Sequence, residues 1–379
     1  MREYLVVFLV AAAVTYLLTV FAREIALRTN AVAAVRDRDV HAEPIPYLGG
    51  LALLGGLVAA YVVARELPFL SRSGELVFRD AGVVLVAGAL ICAVGVVDDI
   101  FELDALTKLG GQVLASGLLI YFGVRFYFFP TSGEGAQFSP EPQQLAILTV
   151  LVIVATVNAV NFVDGLDGLA AGVVGIGAAS FFLFCYQLTV INDATRATTA
   201  ALLSAALAGA CAGFLVHNSH PARIFMGDSG SMLIGLVLSA STLTLTGQFE
   251  ASELSTEQGT GPGFLPVILP VLLPIAILIV PFVDLLLAVV RRTRAGRSPF
   301  APDKQHLHHR LLEIGHSHRR AVLLMWLWAA LIGFGTVLAS LFQGPLMWTS
   351  LSVMVLVTMV LTFVVPNAPA PAFLAEEDG

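Results

Sequence analysis

The chain has 379 residues, of which 57% are hydrophobic and only 12% are charged, and its mean hydropathy is +0.86. A typical soluble domain carries about 25% charged residues, so this composition excludes an ordinary soluble enzyme. The net charge is -7 and no long basic run occurs, so the electrostatic footprint of a nucleic-acid-binding protein is missing.

Apolar stretches of membrane-spanning length recur along the whole chain. About 20 apolar residues in a helix cross the hydrocarbon core and satisfy their own backbone hydrogen bonds. The stretches lie at about 4–22, 48–64, 81–97, 109–123, 145–160, 168–188, 197–216, 230–247, 264–290, 321–342 and 346–365. The first could be a signal peptide, but similar stretches follow without a cleavage-like segment, which favours a first span. We therefore predict one all-α, polytopic membrane domain over residues 1–379, with about 11 transmembrane helices.

Three further features refine this prediction. The cysteines lie inside apolar runs without a Cys-x-x-Cys pair, so we interpret Cys92, Cys185 and Cys211 as packing residues. The stretch near 264–290 carries four prolines, each of which removes a backbone donor, and predicts a bent or broken helix. The last residues, about 366–379, are predicted to form a disordered tail.

The basic residues are divided unevenly between the two sides of this arrangement. Of the 20 Lys and Arg residues, 14 fall in connections on one side, together with all 8 histidines. The positive-inside rule places that side, and the C-terminus, in the cytoplasm and the N-terminus outside. The polar connections on this side lie at about 23–47, 98–108, 161–168, 217–230 and 291–320. Ionisable residues gathered at one face favour a cytoplasm-facing active site over a conduction path.

Two of these connections place acids next to helix ends. Asp98 and Asp99 end one helix and Lys108 opens the next; adjacent carboxylates suit Mg²⁺ or proton handling, although a solvated loop is an equally good interpretation. Asp228 lies between glycines before a helix whose N-terminus attracts phosphates, although it could be a plain helix cap. Phe225 is either core packing or a stacking platform for a base.

The connection at 161–168 repeats an oxygen-bearing side chain every third residue, at Asn161, Asp164 and Asp167. That spacing places the three side chains on one face of a helical turn. The glycines at 165 and 168 allow a ligand or another backbone to approach closely. Capping explains one such aspartate but not the whole set.

The longest cytoplasmic connection contains His306, His308 and His309. A histidine cluster suggests zinc, but no cysteine lies nearby and no histidine pair flanks a catalytic glutamate. A solvated basic loop is the plain alternative. Beside three acidic clusters, we favour histidine and arginine donors that bind phosphates or a sugar.

Four stretches together resemble one enzyme family. VDDIFELDALTKL, NAVNFVDGLDGL, NSHPARIFMGDSGS and PDKQHLHHRLL are similar, in this order, to motifs of the polyprenyl-phosphate N-acetylhexosamine-1-phosphate transferases of glycosyltransferase family 4. The resemblance runs from about His41 to Arg310. Within the family, the HLHH element and PIPYLGG at 44–50 look like the WecA/TagO-like branch and not like the related MraY.

The resemblance implies transfer of GlcNAc-1-phosphate from UDP-GlcNAc to a polyprenyl phosphate, undecaprenyl or decaprenyl, with release of UMP. It implies Mg²⁺ as cofactor, for which Mn²⁺ can substitute, and a homodimer in the bacterial inner membrane. The reaction would be the first membrane step of a cell-envelope glycan pathway. No P-loop occurs, which removes the usual ATP-hydrolysing alternatives.

Matching the motif positions assigns expected roles. Asp98 and Asp99 would orient or deprotonate the lipid phosphate while Lys108 pairs its charge. The expected catalytic residues are Asp98, Asp99, Asp164 and Lys108, and the expected Mg²⁺ ligands are Asp228 and Asn161. The expected substrate-binding residues are Asp167 at the uracil edge, Phe225 on its face, Asn218 near the diphosphate, and His306, His308, His309 and Arg297 at the sugar-phosphate.

Alternatives remain open at this point. The donor could be UDP-MurNAc-pentapeptide, as in MraY, or another UDP-amino-sugar. A secondary transporter would also have many spans and intramembrane acids, but transporters place coupling residues near the midplane and often show inverted repeats. Direct displacement is preferred over an aspartyl-phosphate intermediate, although both use the same residues. The polyprenol length stays open.

Overall fold

A computed structural model describes residues 1–29, 32, 45–127, 129–130, 137–138, 140–191, 197–246, 311–342 and 344–364, with single helical positions at 276, 279, 286, 290, 293 and 294. The predicted proline-broken helix near 264–290 lies outside the described residues except at isolated positions, and the tail at about 366–379 lies outside them. The same is true of most of the connection at 23–47 and of four predicted substrate-binding residues, His306, His308, His309 and Arg297.

The described residues are almost entirely helical. The helices are α1 (Arg2–Arg28), α2 (Gly49–Glu66), α3 (Pro68–Ser71), α4 (Glu75–Phe101), α5 (Ala105–Tyr121), α6 (Pro142–Val163), α7 (Leu169–Ile191), α8 (Ala197–Asn218), α9 (Gly227–Thr246), α10 (His318–Leu341) and α11 (Pro345–Phe363). Within the described ranges, nine of them are long and apolar enough to cross a membrane. The short α3 and the 17-residue α5 are not among the nine.

Ten of the predicted apolar stretches coincide with described helices, which confirms an all-α polytopic membrane protein. Several helices are longer than their apolar stretch, as in α1 and α4. Hydropathy marks only the part inside hydrocarbon, whereas the hydrogen-bonded helix continues beyond it. Between α5 and α6, strands β1 (Phe129–Pro130) and β2 (Gln137–Phe138) pair antiparallel, an element that the apolar pattern did not predict. The total number of spans and the orientation stay predictions.

The helix α9 lies at the centre of the bundle. Of its span, 94% is buried, and it packs against α2, α4, α6 and α8. The helix α8 packs in turn on α1, where Gly209 and Gly213 face the backbone of Phe8 and Ala12 so closely that a Cβ would collide with it. Glycines four residues apart allow such close helix contact in membranes. The span of α11 is only 11% buried, which places it at the edge.

Short connections bring alternate helix ends together. The ends of α4, α6 and α8 meet the beginnings of α5, α7 and α9 through contacts among residues 98–108, 161–168 and 217–229, a region we call the polar end. At the opposite end, the Glu3 carboxylate accepts hydrogen bonds from the backbone N–H groups of Phe69 and Leu70 at 2.8 and 2.9 Å. Three of the predicted polar clusters therefore converge in space.

Candidate active site

Asp99, near the end of α4, organises the start of α9. Its Oδ1 accepts a hydrogen bond from the Asp228 N–H at 2.8 Å, and its Oδ2 accepts one from the Ser229 N–H at 3.2 Å. The first amides of a helix lack partners within the helix and form its positive dipole end, so a carboxylate there is stabilising. Gly227 has φ of 69°, and a Cβ there would collide with the Asp99 carboxylate. Asp99 thus holds the backbone of Asp228 in place.

The ammonium group of Lys108 joins acids from two other helices. Lys108 Nζ lies 2.5 Å from Asp98 Oδ2 and 2.8 Å from Asp228 Oδ2. Lys108 stands in the first turn of α5, which is capped by Asp104 accepting a hydrogen bond from the Thr107 N–H at 3.0 Å. Hydrogen bonds from the Thr107 hydroxyl and amide lower the pKa of Asp104, so this cap is ionised at neutral pH. The cap places Lys108 between the two acids.

Asn161, two residues before the end of α6, reaches the same aspartate. Its Nδ2 donates to Asp228 Oδ1 and to Ser231 Oγ, both at 2.9 Å. The two carboxylate oxygens of Asp228 therefore have different partners, Asn161 on one and Lys108 on the other. Side chains from α4, α5, α6 and α9 meet around Asp228.

Small residues let neighbouring backbones close around the first turn of α9. Gly95 of α4 and Gly50 of α2 both face Ser229 so closely that a Cβ at either position would collide with its backbone. The segment before α2 is attached through the main chain, because the Phe225 N–H donates to the Pro46 carbonyl at 2.9 Å. Residues 45–50 of the PIPYLGG stretch thus lie against the connection that carries Phe225.

Asp164 directly follows α6 and adds a further acid. Burial raises its pKa, and the carboxylates of Asp228, Asp99 and Asp167 raise it further, to about 8. Desolvation and nearby like charges both disfavour the ionised form. Among the described residues of the polar end, the six other carboxyl groups outnumber the two cationic groups, those of Lys108 and Arg223. This excess of negative charge attracts a cation.

A second set of hydrogen bonds ties the turn after α6 to residues 217–226. Asp167 Oδ2 lies 2.8 Å from His220 Nδ1 and accepts a hydrogen bond from the Ala222 N–H at 3.1 Å. Asn218 Oδ1 accepts from the Gly168 N–H at 3.0 Å, while its Nδ2 donates to a carbonyl of the same connection. Asp167 and Asn218 are 3% and 1% exposed. Both predicted substrate-binding residues therefore shape the backbone beside the acids.

The acids of the polar end fit a hard divalent cation. Carboxylate oxygens of Asp98, Asp99 and Asp228 lie within 4.8 Å of one another. Mg²⁺ prefers such oxygen ligands and keeps several waters. The side-chain nitrogen of Asn161 donates to Asp228, and its amide oxygen is the atom that could bind the cation. The assignment of individual ligands stays a prediction.

The structure brings most predicted site residues into two adjacent layers. The first layer contains Asp98, Asp99, Lys108, Asn161, Asp164 and Asp228, and the second layer contains Asp167, Asn218 and Phe225.

The sequence assigned no role to three residues beside these layers. The ring of His220 stacks on that of His318 with centroids 5.0 Å apart, and Trp326 Nε1 donates to the Gly168 carbonyl at 3.2 Å. The only sequence feature that pointed to His220 and His318 was the location of all histidines on one side of the predicted arrangement. The packing of α10 against α7 has no local sequence signature.

The fold and the acidic site define a multi-pass membrane transferase. The glycosyl transferase family 4 model matches residues 81–246, which include most of α4, all of α5 to α9 and the acids of the polar end. The chain is 44% identical over 367 residues to decaprenyl-phosphate N-acetylglucosaminephosphotransferase of Mycolicibacterium smegmatis, covering 96% of this chain and 89% of that protein. The protein therefore belongs to glycosyl transferase family 4, as the motifs predicted.

Two further relatives have related names. The chain is 31% identical over 353 residues to the probable undecaprenyl-phosphate N-acetylglucosaminyl 1-phosphate transferase of Bacillus subtilis, covering 93% of this chain and 88% of that protein. It is 26% identical over 331 residues to undecaprenyl-phosphate alpha-N-acetylglucosaminyl 1-phosphate transferase of Escherichia coli, covering 86% and 81%. These relatives confirm the predicted WecA/TagO-like branch.

Proposed function

We propose that this protein transfers GlcNAc-1-phosphate from UDP-GlcNAc to a polyprenyl phosphate, giving polyprenyl-diphosphate-GlcNAc and UMP. The cluster at the start of α9, where Asp98, Lys108, Asn161 and Asp228 meet, carries the proposal. A water-soluble donor and a lipid acceptor can meet only at a membrane surface, and the cluster lies at one end of the helix bundle. The relatives' names support the substrate classes.

The reaction makes one phosphorus–oxygen bond and breaks another. An oxygen of the lipid phosphate bonds to the β-phosphorus, while the bond from that phosphorus to the bridging oxygen breaks and UMP leaves with the electron pair. Such transfers depend mainly on positioning and charge neutralisation. A bound Mg²⁺ would neutralise diphosphate charge, and Asp228 and Asn161 would hold it.

Asp98 and Lys108 are proposed to act on the acceptor. Lys108 would pair the charge of the lipid phosphate, and Asp98 would orient it or accept its proton. A lipid phosphate is already ionised at neutral pH, so direct displacement without an obligatory general base is preferred. Asp99 was expected to share this role, but both of its oxygens accept from amides of α9. We assign it the positioning of Asp228.

The donor would lie beside the second layer. Asp167 and Phe225 would bind the uracil, with Asn218 near the diphosphate. The half-buried Phe225 ring lies 6.1 Å from the Tyr47 ring, tilted by 38°. Arg297, His306, His308 and His309 would contact the sugar-phosphate, as the motifs predict.

The cellular setting follows the sequence argument. The polar end would face the cytoplasm of a bacterial inner membrane, because most basic residues lie on that side. We propose decaprenyl phosphate as the acceptor, because identity to the mycobacterial decaprenyl enzyme exceeds identity to the two undecaprenyl enzymes. A homodimer is proposed on the family resemblance alone.

UMP release by the purified protein tests the proposal. The assay contains UDP-GlcNAc, decaprenyl or undecaprenyl phosphate and Mg²⁺, with EDTA and lipid-free controls. Asp228→Asn removes one charge in the cluster and should lower release by about a hundredfold or more. Asp80→Asn is the matched control, because Asp80 is a buried acid at the opposite end of α4. No release from any UDP-amino-sugar by folded protein would refute the proposal.

A further inference from the structure

The His220 side chain contacts Asp167, the acid of the second layer. Its Nδ1 lies 2.8 Å from Asp167 Oδ2, and the two side chains are 36% and 2% exposed. Nδ1 is the ring nitrogen that faces this carboxylate, and with Asp167 ionised it is the donor of the hydrogen bond. The Ala222 N–H donates to the same oxygen at 3.1 Å, so His220 and this amide together set the orientation of the carboxylate.

The same imidazole contacts a third element. The His220 ring stacks on that of His318, the first residue of α10, with centroids 5.0 Å apart and an interplanar angle of 28°. His220 therefore links the turn after α6 to the beginning of α10. Stacking fixes the plane of the ring, and the ring plane determines where Nδ1 points.

We propose that His220 is a positioning residue for the donor nucleotide, holding the Asp167 carboxylate in the orientation that binds uridine. This inference rests on the proposed function, in which Asp167 contacts the uracil. His220 would act on donor binding and leave the chemistry around Asp228 unchanged, because its hydrogen bond goes to Asp167 in the second layer and its ring stacks on His318.

A metal site is the competing interpretation of these side chains. Asp167, His220 and His318 offer ligand atoms within 4.8 Å of one another. Two histidines that bind one Zn²⁺ aim a nitrogen at it from about 2.0–2.1 Å. Here the rings instead lie nearly face to face, and His220 Nδ1 points at the carboxylate. The geometry therefore favours a hydrogen bond supported by a stack.

Three substitutions separate the hydrogen bond from the stack. His220→Asn keeps a nitrogen donor attached to Cγ and loses the ring, whereas His220→Phe keeps the ring and loses the donor. His318→Phe keeps the stacking partner without its nitrogens. UMP release gives KM for each substrate and kcat, and calorimetric binding of UMP provides a readout independent of turnover.

We expect His220→Phe to raise the KM for UDP-GlcNAc and the Kd for UMP about tenfold or more, with kcat and the KM for lipid phosphate within about twofold. His220→Asn should recover most of the donor affinity, and His318→Phe should resemble wild type. Unchanged donor affinity in His220→Phe, in active protein, would overturn the inference while leaving the transferase intact. Inhibition of the wild type by micromolar Zn²⁺ that is lost in both His220→Phe and His318→Phe would also overturn the inference. An inactive wild type would instead refute the proposed function.

Discussion

The two ends of the helix bundle both contain acids, but in different surroundings. At the opposite end, both oxygens of Glu3 accept backbone hydrogen bonds, and the buried Asp80 lies 3.0 Å from Arg79 Nη2. At the polar end, Asp98 and Asp228 share the ammonium of Lys108, and further carboxylates crowd beside them. Acids with local partners stabilise helix ends, whereas carboxylates in excess of their cations form a site for a cationic ligand.

Removing the shared cation should have the largest effect. Lys108→Met leaves two carboxylates of the cluster without their ammonium partner, and we expect UMP release to fall about a hundredfold or more. Lys108→Arg should recover part of it. The matched variant at the opposite end is Arg79→Met. The Arg79 side chain is 56% exposed, so UMP release by this variant should be within about twofold of wild type. Equal losses at both ends would show that the polar end has no special role.

The raised pKa of Asp164 predicts a coupling between pH and Mg²⁺. Asp164 is mainly neutral below about pH 8 and becomes ionised as the pH rises. A bound cation favours the ionised form of Asp164. The acid limb of the pH profile of the UMP-release rate should therefore move to lower pH, by about one unit, as the Mg²⁺ concentration is raised. Asp164→Asn should abolish this movement. A limb that moves equally in that variant would assign the proton to another group.

The smallest effect is expected at the opposite end. Glu3→Ala removes the acceptor of two backbone N–H groups, so the thermal midpoint should fall by about 2–4 °C. UMP release at 25 °C should be unchanged, because Glu3 contacts none of the acids of the polar end. Scanning fluorimetry in detergent, run beside the activity assay, checks both. A loss of activity without a loss of stability would contradict the separation of the two ends.

Much of this arrangement could be predicted from the sequence. The helical stretches, the family and the acids of the polar end all follow from hydropathy and short motifs, because these signals are local. The different contacts that the individual acids make could not be predicted. Asp98 and Asp99 are adjacent in the chain, yet one contacts Lys108 and the other caps α9, since successive helical residues point in different directions.

The sequence by itself determined that the chain crosses a membrane repeatedly and carries the motifs of a phosphosugar transferase. Composition and motif spacing need no knowledge of which helices touch. Only the tertiary structure decided that α9 is central, that Asp99 serves as its cap, and that His220 stacks on His318 beside Asp167. These pairings join residues from about 50 to 130 positions apart. Helix packing brings them together, and no local pattern encodes it.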